Sequence, residues 1–152
     1  MSARIICIGN RFIAADAAGP MVYDLLAGGT LPPAVELIDG GLAGLRLLPL
    51  FEGCDQVIVV DAVTGFRADP GVIVLPAAAL PSTPVNYGHQ DGLAYLLQAA
   101  PHVLEPPLPE VVVVGIEGPA TAAICLEAAR LCLELVSSGD GRPCRFAPAC
   151  AG

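Results

Sequence analysis

Three acids stand where an α/β sheet carries chemistry. Asp16 follows the apolar run Ile5 to Ile8 and the turn Gly9-Asn10, Asp39 follows Val35 to Ile38, and Asp61 closes the apolar run Val57-Ile58-Val59-Val60. Parallel strands bring their carboxyl ends to one edge, and open α/β sheets take ligands in the crevice there. His89, one of two histidines, opens a helical pattern after a long loop. Two carboxylates and an imidazole meeting in one crevice make an open metal site, because hard oxygen and borderline nitrogen donors suit zinc, nickel, cobalt or manganese and leave positions for substrate. The plainer alternative is that an acid at a strand end caps the turn or helix after it, and that a histidine at a helix start bonds the preceding loop. Gly40-Gly41, directly after Asp39, is either a place where backbone approaches a bound chain or an ordinary tight turn.

The elements that must position these residues alternate along the chain. After the first strand, Met21, Val22, Leu25 and Leu26 recur at helical spacing until Gly28-Gly29 closes the helix. A second strand, Val35 to Ile38, leads through Asp39-Gly40-Gly41 to a short helix over Leu42 to Phe51. Four consecutive β-branched residues, Val57 to Val60, read as a strand covered on both faces. Gly71 to Leu75 follows so closely that it is expected to lie beside its neighbours, with an antiparallel direction open to it. Ala77 to Tyr87 is a Pro- and Ala-rich loop; Leu93, Leu96 and Leu97 then mark a helix that Pro101 is expected to stop. Val111 to Val114 is the last strand, and Thr121 to Val136 a helix whose Glu127, Arg130 and Glu134 share a face. The order βαβαββαβα predicts an α/β fold: a single twisted, mostly parallel sheet of about five strands with helices on both faces. The expected division is one domain over 1–138 and an irregular tail over 139–152, rich in Gly, Pro and Ala and carrying Cys144 and Cys150.

Composition narrows the function classes. The 152 residues are 55% hydrophobic and only 14% charged, with a mean hydropathy of +0.68, which argues against disorder and for an apolar surface that docks a partner. Seven basic against fifteen acidic residues give a net charge of −8, which repels nucleic acid and anionic membranes. No apolar run reaches the eighteen or so residues of a membrane span, and Met1-Ser2-Ala3-Arg4 leads straight into a strand, so a cytoplasmic protein is expected. In a reducing compartment the six cysteines read as thiols: Cys7, Cys125 and Cys132 as buried core residues, Cys144 and Cys150 as exposed, redox-active or metal-binding.

Taken together, Gly9-Asn10 with an acid six residues on and Gly19 after it, then Asp39-Gly40-Gly41, then Val59-Val60-Asp61-Ala62, then His89-Gln90 with Gly92-Leu93, resemble the hydrogenase maturation proteases over about residues 4 to 136. These are nickel-dependent endopeptidases that remove a C-terminal extension from the large subunit of NiFe hydrogenases after nickel insertion. The resemblance implies Asp16, Asp61 and His89 as the residues that contact nickel supplied by the substrate, with other divalent metals able to occupy the site. It also implies Asp16 or Asp61 as general base for an activated water, Asp39, Gly40 and Gly41 as a substrate loop, the NiFe hydrogenase large-subunit precursor as partner, and a monomer. One departure stands out: the family usually has two acids at the first motif with glutamate as ligand, whereas here Ala15 precedes Asp16, one methylene shorter. Two other readings remain from the residues. One is a non-catalytic maturation chaperone that keeps the docking surface; the other is a cofactor-binding α/β domain, against which Gly9 and Gly19 fall short of Gly-x-Gly-x-x-Gly and no phosphate-binding loop is present.

Overall fold

Strand β3 (Gln56–Val63) is buried along almost its whole length and forms the middle of the sheet. Its β-branched side chains fit a pleated surface covered on both faces. On one side it pairs in parallel with β1 (Ala3–Ile8), which pairs in parallel with β2 (Val35–Gly41); on the other it pairs in parallel with β5 (Glu110–Glu117), against which β4 (Gly71–Pro76) runs antiparallel. The strand order is β2-β1-β3-β5-β4, the expected mostly parallel five-stranded sheet, and the direction left open for β4 is antiparallel. The computed structural model describes residues 2–42, 44–79 and 90–137.

Period-2 alternation divides the core into two layers. Ile58 and Val60 of β3, with Ile5 and Cys7 of β1, pack under α1 (Ala18–Ala27) and α3 (Ala122–Ser137). Val57 and Val59, with Ile6 and Val113, pack on the opposite face under α2 (Gln90–Val103) and a 3-10 segment over Gly44–Phe51. Phe51 is fully buried there and contributes about 2–3 kcal/mol of transfer free energy. Cys7, Cys125 and Cys132 are buried free thiols, as expected; burial pushes all three up, Cys132 to about 12. Cys144 and Cys150, like the whole 139–152 tail, lie outside the described residues.

Several boundaries differ from those read in the sequence: strand β3 runs past Asp61 to Val63, and the short helix expected over Leu42 to Phe51 is a 3-10 segment that starts at Gly44. Helix α2 passes through Pro101 to Val103, because in its last turn a proline removes only one helical donor, and Leu104 N–H still reaches Ala100 O at 2.9 Å. Strand β2 runs on through Asp39 and Gly40 to Gly41, with a register shift opposite Cys7 and Ile8. Strand β5 continues past Val114 to Glu117: Gly115 faces Asp61 across the ladder, and a Cβ there would stand 2.7 Å from a methyl of Val63, so the glycine keeps the two strands in register.

Candidate functional site

The carboxyl ends of β1, β2, β3 and β5 share one edge, and Asp16 and Asp61 meet there. Asp61 continues the row of Val57 and Val59, so its side chain is on the α2 face. It is only 4% exposed, and one carboxylate oxygen accepts the Ala62 N–H at 2.8 Å. Burial first, and then the charge of Asp16, push the Asp61 carboxyl up to about 8, partly offset by the Ala62 bond. Two acids are thus held close enough for one to oppose ionisation of the other.

Asp16 is placed by a sequence of local bonds. Asn10 starts the loop after β1: its backbone carbonyl accepts the Ile13 N–H at 3.1 Å and its side-chain oxygen accepts the Phe12 N–H at 3.0 Å. Asp16 ends a 3-10 turn over Ala14–Asp16, donates its own N–H to Ile13 O at 2.9 Å, and accepts the Asn10 N–H on its carboxylate at 2.9 Å. The side chain is 7% exposed. Gly9 makes this closure fit: its φ is +143°, and a Cβ would stand 2.2 Å from the Asp16 carbonyl oxygen. Gly9→Ala is therefore expected to cost roughly 3 kcal/mol in a denaturant titration and to displace Asp16. An unchanged midpoint would show that the loop accommodates a side chain.

Asp39 does not join this pair. In register with Cys7, it faces the α1 layer, accepts the Gly41 N–H at 3.2 Å, and lies 3.6 Å from the Arg11 guanidinium. Arg11 in turn reaches Asp24 of α1 at 3.3 Å, so a small ion cluster ties the β1 loop to α1 and β2. Gly40 is buried inside β2, and Gly41 has a φ of +52° at its end. His89 lies outside the described residues; Gln90, next in the chain, is the first residue of α2. Helix α2 ends at the opposite edge, where Leu104 packs in the Phe51 cluster and Glu110 N–H bonds Asp55 O at 2.9 Å. Its beginning therefore stands at the edge of Asp16 and Asp61, on the face Asp61 occupies.

Two residues at this edge had no role in the sequence reading. Arg11 had a usable signal, being a lone cation in a loop that returns between Asp24 and Asp39. Glu117 is the last residue of β5; one of its oxygens accepts the Gly65 N–H at 2.7 Å, and the other is buried with no hydrogen-bond partner among the described residues. A cavity of about 410 Å³ lies elsewhere, at the opposite edge, lined by apolar residues such as Phe51, Leu97, Leu104 and Leu108 and by no carboxylate.

The donor set suits a divalent cation. Asp16 and Asp61 offer two carboxylates, and Arg11 is engaged by Asp24 and Asp39. Among the described residues no three His, Cys, Asp or Glu side chains cluster as a metal site.

Comparison with known proteins decides the family. Residues 21–125 match the family model for hydrogenase maturation protease. The chain belongs to the hydrogenase maturation protease family. The hydrogenase 2 maturation protease of Escherichia coli is 32% identical over 99 residues, 62% of this chain and 60% of that protein. The hydrogenase expression/formation protein HupD of Rhodobacter capsulatus is 39% identical over 71 residues, 46% of this chain and 33% of that protein. The matched stretch thus spans less than two thirds of either relative. The E. coli hydrogenase maturating endopeptidase HybD superposes with a TM-score of 0.75 at 28% identity, over 91% of this chain and 94% of that one. The maturation protease HycI of Thermococcus kodakarensis, at 20% identity and a TM-score of 0.58, shares the fold. For a member of this family the described residues contain no helix long and apolar enough to cross a membrane.

Proposed function

We propose that this protein is an endopeptidase that removes the C-terminal extension of a NiFe hydrogenase large-subunit precursor after nickel insertion. The observation that carries the reading is the buried pair Asp16–Asp61 at the carboxyl edge of the sheet of a hydrogenase maturation protease. The nickel arrives as part of the substrate, with Asp16, Asp61 and His89 as its ligands on this protein. The fit is electrostatic: burial first, and the Asp16 charge second, hold a proton on Asp61, and an arriving cation displaces that proton and offsets both penalties. A divalent cation at the peptide carbonyl supplies Lewis-acid polarisation.

The chain's own residues do the remaining work. Asp61, ionised as the cation arrives, accepts a proton from the attacking water and returns it to the departing amine. Asp16 holds the metal-bearing end of the precursor, oriented by the Asn10 N–H. Its aspartate is one methylene shorter than the glutamate usual in the family, about 1.5 Å of reach. The 3-10 turn, which sinks Asp16 to 7% exposure against β3, supports the view that backbone placement makes up this length. Asp39 contributes through the Arg11 cluster, and the Gly40-Gly41 segment beside it forms the β2 side of the substrate loop. The protein acts as a cytoplasmic monomer.

Incubating the nickel-loaded precursor with this protein and recording intact mass tests the reading. A defined C-terminal mass loss, abolished in Asp16→Ala, is the expected outcome. A stable complex with unchanged mass would overturn it in favour of a non-catalytic chaperone.

A further inference from the structure

We infer that Phe12, together with exposed Ile13, Leu42 and Leu45 at the same edge of the sheet, seats an apolar segment of the precursor next to the bond to be cut; the inference rests on the reading of Asp16 and Asp61 as the cleavage site. Phe12 is 90% exposed, far above the other large apolar side chains, and lies four residues before Asp16 in the same loop. Its exposure is built in. The Phe12 N–H is held by the Asn10 side chain, and the following turn is closed by Ile13 N–H to Asn10 O and Asp16 N–H to Ile13 O, so the ring projects from a bonded loop. The Gly9 N–H bonds Gly41 O at 3.0 Å, which makes the β1 and β2 loops leave the sheet side by side; Leu42, 59% exposed, is the next residue after Gly41, and Leu45 follows it. Exposed Met21, Leu25, Tyr95, Val103 and Leu126 are spread over three helices and Leu108 lies before β5, whereas these four side chains come from the β1 loop and from the β2 loop and the 3-10 segment after it.

Arg11, which precedes Phe12, is paired with Asp24 and Asp39. Exposed apolar side chains on the β2 side of the carboxylate pair are of the kind that marks an interaction site. The occupant follows from continuity with the cleavage site: a polypeptide whose metal-bearing end reaches Asp16 and Asp61 passes along the loop that carries both Phe12 and Asp16. An exposed aromatic ring at such a position gains area on docking and loses little conformational freedom, which is why aromatic residues dominate binding hot spots.

The test measures precursor affinity in an Asp61→Asn background, and KM and kcat in the wild-type background, for Phe12→Ser, Phe12→Leu and, as a control at the other edge, Val103→Ser. Phe12→Ser is expected to raise Kd and KM about tenfold or more with kcat and thermal midpoint unchanged; Phe12→Leu is expected to recover most of the affinity, and Val103→Ser to match the parent. Unchanged Kd in Phe12→Ser, or an equal loss in Val103→Ser, would overturn the inference. If the wild-type protein bound the precursor but did not cut it, the endopeptidase reading would fall, while the Kd values would still decide the role of Phe12.

Discussion

Asp61→Asn is expected to bind the precursor yet lose roughly 10²–10⁴-fold in the rate of trimming, the span that a positioned general base contributes. The substitution is close to isosteric, and the amide oxygen can still accept the Ala62 N–H that the carboxylate now accepts at 2.8 Å. The ladder around it is unaffected, because the Asp61 to Gly115 pairing is made by backbone. What disappears is the charge: an amide takes no proton from water and is a poor partner for a divalent cation. The loss is therefore expected in kcat as well as in affinity, read as the initial rate of mass change at saturating precursor. A rate within a few-fold of the parent would remove Asp61 from the chemistry and shift the base to Asp16.

The same substitution is expected to stabilise the free protein at alkaline pH. Asp61 is raised from 3.8 to about 8 in the folded protein, by burial first and by the Asp16 charge second. Between those values the unfolded chain has released the proton and the folded protein still holds it, so the folded state binds more protons and stability falls as pH rises. The contribution of this group is complete below about pH 4, declines by up to about 1.4 kcal/mol per pH unit, and levels off above about pH 8. An asparagine amide in its place has no proton to lose and removes that slope. Denaturant titrations at pH 5 and pH 8 are expected to show Asp61→Asn gaining on the parent at pH 8, by an amount of order several kcal/mol, with a smaller gap at pH 5. Parallel curves at both pH values would mean that the carboxylate is solvated or paired in the folded protein. A site that opposes its own stability in this way is expected where a carboxylate is kept for function.

Much of this arrangement is legible in the sequence, for identifiable reasons. Val57 to Val60 announces a central strand because burial on both faces requires consecutive apolar residues, and an acid directly after such a run stands at a crevice-forming edge. The pairing of Asp16 with Asp61 follows, since adjacent parallel strands β1 and β3 deliver both to one place. Asp39 looks equivalent in the sequence but is not equivalent in the fold: the register places it opposite Cys7, on the α1 side, and Arg11 holds it there. That outcome depends on a strand register and a non-local ion pair, neither of which has a local pattern. Glu117 was hidden because the apolar run that marks the last strand stops at Val114, whereas the missing side chain of Gly115 lets β5 pack against Val63 and continue. Pro101 misled in the same manner, since its cost depends on whether the lost helical donor falls in the middle or the last turn of α2. The exposure of Phe12 is likewise set by the Asn10 turn rather than by any apolar pattern.

The measurement that bears most directly on the central claim compares trimming of nickel-loaded and nickel-free precursor by the wild-type protein and by Asp16→Ala, followed by intact mass. If Asp16 and Asp61 recognise nickel brought by the substrate, the wild-type protein trims only the loaded precursor, and Asp16→Ala trims neither. Equal trimming of both forms by the wild-type protein would contradict the account, since the carboxylate pair would then be working on the peptide without the metal it is proposed to recognise.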